Sequence, residues 1–315
     1  MPFTAPMTRT ALSLFLDDTH WFPEGQFLPL ADFVLEQGLR GKVSLMAGFD
    51  RDPGQAPLGQ TTDPAEAEFL DQLRRISSGG FDVHMELMTH DKQWDFASGQ
   101  MRGDGPCEGI WLFDPDVRQS DFAAYLTGIL DTAARAGVAL NGLSVPGCDC
   151  KDCKRTWAAL QARGVDTVSD ALVQAVLALA QQGRFAGPVA TIYSDIADDA
   201  HPTRLLAQDG RFGVMDARLD MSTEDQIGFD GADVDFYISA DGQHGCIPAL
   251  VLAGAEQCFF CAHWFSMNPE AVEGWHAFRE IILRINRTLG DHIQWVSPGA
   301  YGVRLLARSR GQVRA

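Results

Sequence analysis

The chain has 315 residues, 46% of them hydrophobic, with 42 acidic against 25 basic residues and a formal net charge of −17. Such a charge repels phosphate backbones and anionic headgroups, so composition argues against a nucleic-acid or membrane partner and favours a neutral or cationic ligand. No apolar run approaches the roughly 20 residues that span a bilayer, and seven unevenly spread cysteines fit a reduced, cytoplasmic chain better than a disulfide framework.

In chain order, "ALSLFL" (Ala11 to Leu16) reads as an apolar strand that stops at "DDTHW". "LPLADFVLEQGLRG" places Leu30, Phe33, Val34 and Leu39 at near-helical spacing, with Gly41 as the expected stop. "KVSLMAGF" is a second buried strand. "DPAEAEFLDQLRRISSGG" carries a helix start, with Asp63 as N-cap, Pro64 in the first turn and Glu66 closing a capping box. "GGFDVHMELMTHD" begins as a third strand, alternating from Val83 to Met88, and puts His84, Glu86 and His90 close together.

A charged, Gly-containing loop is expected from about Asp91 to Asp116, then a helix capped by Ser120 and running through Ala136. "LNGLSV" is a strand that ends at "PGCDCKDC". "DALVQAVLALAQQG" is a helix, and "PVATIYS" a strand ending at Asp195. "FGVMDARL" and "VDFYIS" read as further short strands. "GAEQCFFCAHW" supplies the last strand, with His263 at its end. The helix after Asn268-Pro269 has Val272, Trp275, Phe278, Ile282, Ile285 and Leu289 on one apolar face. Strands alternating with helices imply the α/β class. The expected architecture is a single (β/α) barrel of about seven mainly parallel strands, with residues 1–315 as one domain.

Ligand sites in parallel β/α folds lie at the C-terminal edge of the strands. There the sequence places Asp17, Asp18 and His20, then Glu86 and His90, then Pro146-Gly147-Cys148, then Asp195, and finally His263 and Trp264. Any one of these reads as well as a helix cap or loop residue, and His84, one layer below Glu86, as a structural histidine. Jointly, carboxylates and imidazoles from distant strands suit a divalent cation, zinc or a first-row neighbour such as Mn, Co or Ni. One carboxylate can then bind metal while its neighbour acts as general base, and a histidine opposite serves as acid.

"LFLDD" resembles the first motif of the polysaccharide deacetylase superfamily, the carbohydrate esterases of the nodulation-factor type. The resemblance implies Asp17 as the base and Asp18 as a metal ligand. "GFDVHMELMTH" is similar to the second motif, with His90 at its second histidine and Glu86 where the first would stand. "CFFCAHW" resembles the final motif and implies His263 as the acid. The implied ligand set is therefore Asp18, Glu86 and His90. Two departures stand out. Glu86 replaces a histidine, and the loop at Val145-Pro146-Gly147 lacks the family's arginine, so Asp17 is expected to lack its cationic partner.

Cys148, Cys150 and Cys153 lie within six residues. They read as a structural metal site whose fourth ligand is Cys107, Cys246, Cys258 or Cys261, as free or redox-active thiols, as adventitious cysteines, or as lining of the site. Cys258 and Cys261, on a strand, should point to opposite faces.

The expected function is a metal-dependent hydrolase removing an acyl group, acetyl above all, from a carbohydrate or related small molecule. Trp21, Trp94 and Trp264 are candidates to stack on sugar rings. The alternatives are an altered, non-hydrolytic carbohydrate-binding protein, or a metal-independent glycoside hydrolase using Asp17 and Asp195.

Overall fold

The computed structural model describes residues 9–19, 27–45, 58–60, 64–87, 93–95, 98, 100–102, 110–145, 151–165, 167–194, 202–221, 227, 233–263 and 272–311. At Asp18, Trp94, Cys153 and His263 the description covers the backbone alone. The elements in order are β1 (Thr10–Thr19), α1 (Phe27–Glu36), β2 (Gly41–Leu45), α2 (Pro64–Ser78), β3 (Asp82–Glu86), β4 (Gln93–Asp95) and β5 (Gln100–Arg102). Next come α3 (Gln119–Arg135), β6 (Gly142–Val145), α4 (Lys151–Gln161), α5 (Asp170–Gln181), β7 (Val189–Ser194), β8 (Arg204–Asp209) and β9 (Phe212–Ala217). The chain ends with α6 (Val234–Tyr237), α7 (Cys246–Leu252), β10 (Gln257–His263), α8 (Val272–Leu289), β11 (Ile293–Trp295) and α9 (Pro298–Ser309). The protein is an α/β fold built on a mainly parallel sheet. Its contacts divide into two compact units, each drawn from separated stretches of chain.

The first unit comprises residues 1–43, 71–81 and 219–297. Its strand order is β10-β1-β2, with β11 also pairing β1. β1 runs parallel to β10 in a register that sets Leu12 beside Cys258, Phe15 beside Cys261 and Asp17 beside His263. Leu12, Leu14 and Leu16 alternate with Ser13, Phe15 and Asp17, and all six are buried. α8 buries Phe278, Ile281, Ile282, Ile285 and Leu289, the 3.6-residue stripe that its sequence announces. Phe33 of α1 meets Phe278 edge-on at 5.8 Å and Trp275 at 5.7 Å. α1 ends earlier than expected, at Gly38 with φ 70°, where Leu39 N–H bonds to the Val34 carbonyl in a Schellman closure. Gly41 is the first residue of β2 instead of the helix stop. A Cβ there would fall 1.7 Å from the Leu14 carbonyl oxygen, so the close approach of β2 to β1 requires glycine.

The second unit comprises residues 44–70, 82–218 and 298–315. Here the order is β3-β6-β7-β9-β8, preceded by the last two residues of β2. β3, β6, β7 and β9 run parallel, and β8 turns back antiparallel onto β9. α5 and α9 pack against β7 and β9, and α3 against α5. Ser169 caps α5, its side chain accepting from Ala171 N–H. α9 is held by Asp82, whose carboxylate accepts from Gly299 N–H at 2.6 Å. Ser44 Oγ and Ser144 Oγ are 2.8 Å apart, although β3 lies between their strands. In a flat sheet, strands two apart are about 10 Å apart. This face is therefore concave, the curvature that a (β/α) barrel needs.

Local expectations fail in three further places. "VDFYIS" holds α6, a helical turn, because Asp233 turns its carboxylate onto Asp235 N–H as an N-cap. Ser120 lies inside α3, whose N-cap is Arg118 with no side-chain capping bond. The stretch expected to be loop after Asp91 contains the β4–β5 hairpin. Glu66, placed in the capping box, accepts from Gly59 N–H at 2.7 Å and so ties α2 to the preceding turn.

Asp220 clamps β10. It accepts from Phe259 N–H at 2.7 Å and from the Gln257 side chain at 3.0 Å. Loss of water raises its pKa from 3.8 to about 6, against the lowering effect of those two donors. A raised folded-state value means that stability is greatest below pH 4 and falls as pH climbs through 6. The residue is exposed, so solvent screens much of the effect. In Asp220→Asn this part of the pH dependence should vanish, which urea unfolding at pH values on either side of 5 would test; an unchanged slope would assign the titration to another group.

Candidate functional site

Asp17 sits near the C-terminal end of β1 and is 4% exposed. One carboxylate oxygen forms an ion pair with the ammonium of Lys42, a residue with no solvent exposure. The other accepts a hydrogen bond from the Cys261 thiol at 2.7 Å. The Lys42 ammonium also lies 5.2 Å from the centre of the Phe15 ring, two residues back on the same face as Asp17. β1, β2 and β10 thus each contribute one polar side chain to a single buried cluster inside the first unit. Asp17 does have a cationic partner. It comes from β2 and not from the loop after β6, which overturns the expectation of an unaccompanied base.

The strand geometry explains the cluster. Parallel pairing sets Asp17 in register with His263 and Phe15 in register with Cys261. Alternation along β2 sends Lys42 to one face and Val43 to the other. The signal was present in "KVSL": a strand buried along its whole length carries lysine and serine at alternate positions, which an apolar environment does not tolerate without partners.

In the second unit, Glu86 ends β3 and is 5% exposed, with Ser144 as its register neighbour on β6. His84 lies one layer deeper on the same strand face, fully buried, as a structural histidine would. Its register partner is Gly142. A Cβ at position 142 would fall 2.8 Å from His84 Nε2 and 2.2 Å from the Thr191 carbonyl oxygen. Glycine is what lets the imidazole occupy this layer.

Of the other candidate residues, Asp18 is part of β1, His263 of β10, Trp94 of β4 and Cys153 of α4, and their side chains lie outside the described set. His20, Trp21, His90, Cys107, Pro146, Gly147, Cys148, Cys150, Asp195 and Trp264 lie wholly outside it. Among the described residues, no group of three or more His, Cys, Asp and Glu side chains is arranged to hold a metal. Cys261 is committed to Asp17. Cys258, fully buried, has its thiol pushed well above the usual range by burial first and by the nearby Asp220 charge second. Cys258 therefore lacks the character of a reactive thiolate. No helix among the described residues is long and apolar enough to cross a membrane.

No family model and no curated protein matches the chain, so the deacetylase resemblance rests on the motif residues alone. Among solved structures, the chain is similar to a GH20 catalytic module of the pneumococcal exo-β-D-N-acetylglucosaminidase StrH. The TM-score is 0.43 at 10% identity, over 98% of this chain and 90% of that one. It is also similar to the exo-β-1,4-mannosidase Op5Man5 from Opitutaceae bacterium strain TAV5, with TM-score 0.40 at 15% identity, over 90% of this chain and 60% of that one. Likenesses this remote bear on neither substrate nor mechanism.

Two outcomes follow from the geometry. Lys42→Met leaves the Asp17 carboxylate buried without its cation, so unfolding free energy should drop by about 3–5 kcal/mol, and adding Asp17→Asn should recover part of it. Gly142→Ala forces a methyl group against His84 and the β7 backbone and should cost about 1–3 kcal/mol. Denaturant titration reads both; a neutral Lys42→Met would mean that the pair does not form.

Proposed function

We propose that this chain is a hydrolase that removes an acyl group, acetyl in the simplest case, from a carbohydrate or a related amide or ester. The observation that carries the reading is the buried Asp17–Lys42–Cys261 cluster, in which Asp17 and Cys261 lie near the C-terminal ends of parallel strands and Lys42 reaches Asp17 from the start of β2. A buried ion pair is a poor source of stability, because desolvation of two charges offsets their attraction. Its position at the edge where parallel β/α folds build their sites supports a role in chemistry.

In this reading Asp17 takes the proton of the attacking water. Lys42 balances its charge, the task that arginine performs in the deacetylase motif. Cys261 occupies the second carboxylate oxygen and so limits the orientations Asp17 can take. His263, in register with Asp17 on the adjacent strand, gives a proton to the leaving group. The proposed ligand set for a divalent ion remains Asp18, Glu86 and His90. Glu86, a carboxylate 5% exposed at the end of β3, has the chemistry of such a ligand, and Asp17, held by Lys42 and Cys261, is given the base role. A metal held there would polarise the acyl carbonyl. Trp21, Trp94 and Trp264 are the proposed sugar-stacking residues.

A second reading is a metal-independent glycoside hydrolase in which Asp17, paired with Lys42, is one of the two carboxylates. Asp195 would then be its partner.

Acetate release from acetylated sugars, measured before and after chelation, separates the readings. The first expects release that chelation abolishes and added zinc restores. It also expects a loss of about two to four orders of magnitude in Asp17→Asn and in His263→Ala, with metal content unchanged in the latter. Loss of metal in His263→Ala would make His263 a ligand. Cleavage of aryl glycosides that is insensitive to chelation would establish the second reading in place of the first.

A further inference from the structure

The second unit carries a groove of about 500 Å3 at the N-terminal edge of β7 and β9, the opposite strand edge from Glu86. Its apolar wall includes Phe185, Phe212, Val303 and Leu306. α9 forms one side, and the segments leading into β7 and β9 form the other. Two arginines, Arg211 and Arg310, complete the lining, and no carboxylate residue is part of it.

Acidic residues outnumber basic ones by 42 to 25, and several described arginines pair with carboxylates. Arg74 pairs with Asp71, Arg75 with Asp32, Arg118 with Asp121, Arg163 with Asp116, Arg184 with Asp131 and Arg284 with Asp235. Among the described residues, Arg211 and Arg310 form no such pair. The Arg211 guanidinium lies 5.0 Å from the centre of the Phe212 ring, itself a wall residue. That contact holds a planar fork of donors at the groove with its charge unmatched.

We propose that this groove binds an amphiphilic monocarboxylate, its head clamped by Arg211 and Arg310 and its apolar body laid along Phe185, Phe212, Val303 and Leu306. The volume falls within the range of small-molecule sites. Guanidinium groups bind carboxylates with two parallel hydrogen bonds, and the apolar wall supplies the area that free acetate or inorganic anions would leave unfilled. The local positive charge is what overcomes the repulsion of an anion by the chain as a whole, so affinity must fall with salt. The site is independent of the hydrolase reading, because it lies within one unit at the strand edge that reading does not use.

Titration calorimetry of the whole chain with decanoate tests this directly. A single saturable site is expected, weakened about tenfold or more in the Arg211→Ala/Arg310→Ala double variant. Both side chains are exposed, so that variant keeps its fold, which thermal unfolding verifies. Decan-1-ol, which keeps the apolar body and lacks the charge, should bind about tenfold more weakly than decanoate. Val303→Glu, at a position 41% exposed, should abolish decanoate binding by placing a carboxylate in the groove. Equal affinity for decanoate and decanol, or an undiminished affinity in the double variant, overturns the proposal. So does sedimentation that shows a dimer broken by Val303→Glu, which would make a second copy of the chain the occupant.

Discussion

The ion pair between Asp17 and Lys42 constrains the first unit. Both residues are buried on strands that must also hydrogen-bond along their length. At an effective dielectric near 20, two opposite charges in contact gain about 4 kcal/mol, while removing each ion from water costs several kcal/mol. The pair therefore adds little net stability, yet neither member can be lost alone. Its geometry depends on the register of β1 against β10, which brings Cys261 to the second carboxylate oxygen, and on the close approach of β1 to β2 that Gly41 permits. A shift of one residue in either strand would turn the charge to the other face.

The two edges of the parallel strands do different work. At the N-terminal edge, Asp82 holds the start of α9, and the groove of Arg211 and Arg310 opens between α9 and the starts of β7 and β9. Each unit carries a carboxylate near the C-terminal end of one of its own strands, Asp17 in the first and Glu86 in the second, both nearly closed to solvent. Acidic residues thus serve as an anchor at one end and as candidate chemistry at the other. The concave face between Ser44 and Ser144, with His84 seated over Gly142, shows how polar side chains are accommodated on the face that Glu86 shares. Hydroxyls bond to one another, and a residue without a side chain makes room for an imidazole.

Much of this architecture was legible. The leucines of β1 and the stripe on α8 are local patterns, and local patterns survive folding because they are set by a 2- or 3.6-residue period. Position at a strand end was legible too, for Asp17, Glu86 and His263. The misreadings have physical causes. "VDFYIS" has strand composition, but Asp233 supplies a cap that outweighs propensity over so short a stretch. Gly41 was read as punctuation for α1, when the helix already closes at Gly38 and Gly41 serves a neighbouring strand. Lys42 lies in a strand whose sequence already reads as buried, so it is a charge that needs a partner, but which residue answers it is not a local property.

By itself the sequence determined the α/β class, the alternation of strands with helices and the placement of ionisable groups at strand ends, since each follows from contacts between residues a few positions apart. Tertiary structure alone decided which of those groups meet. Asp17 finds Lys42 across 25 residues and Cys261 across 244. Whether such distant side chains converge depends on strand order and register, and these are fixed by the packing of the whole sheet and its helices, a property that no local window of sequence contains.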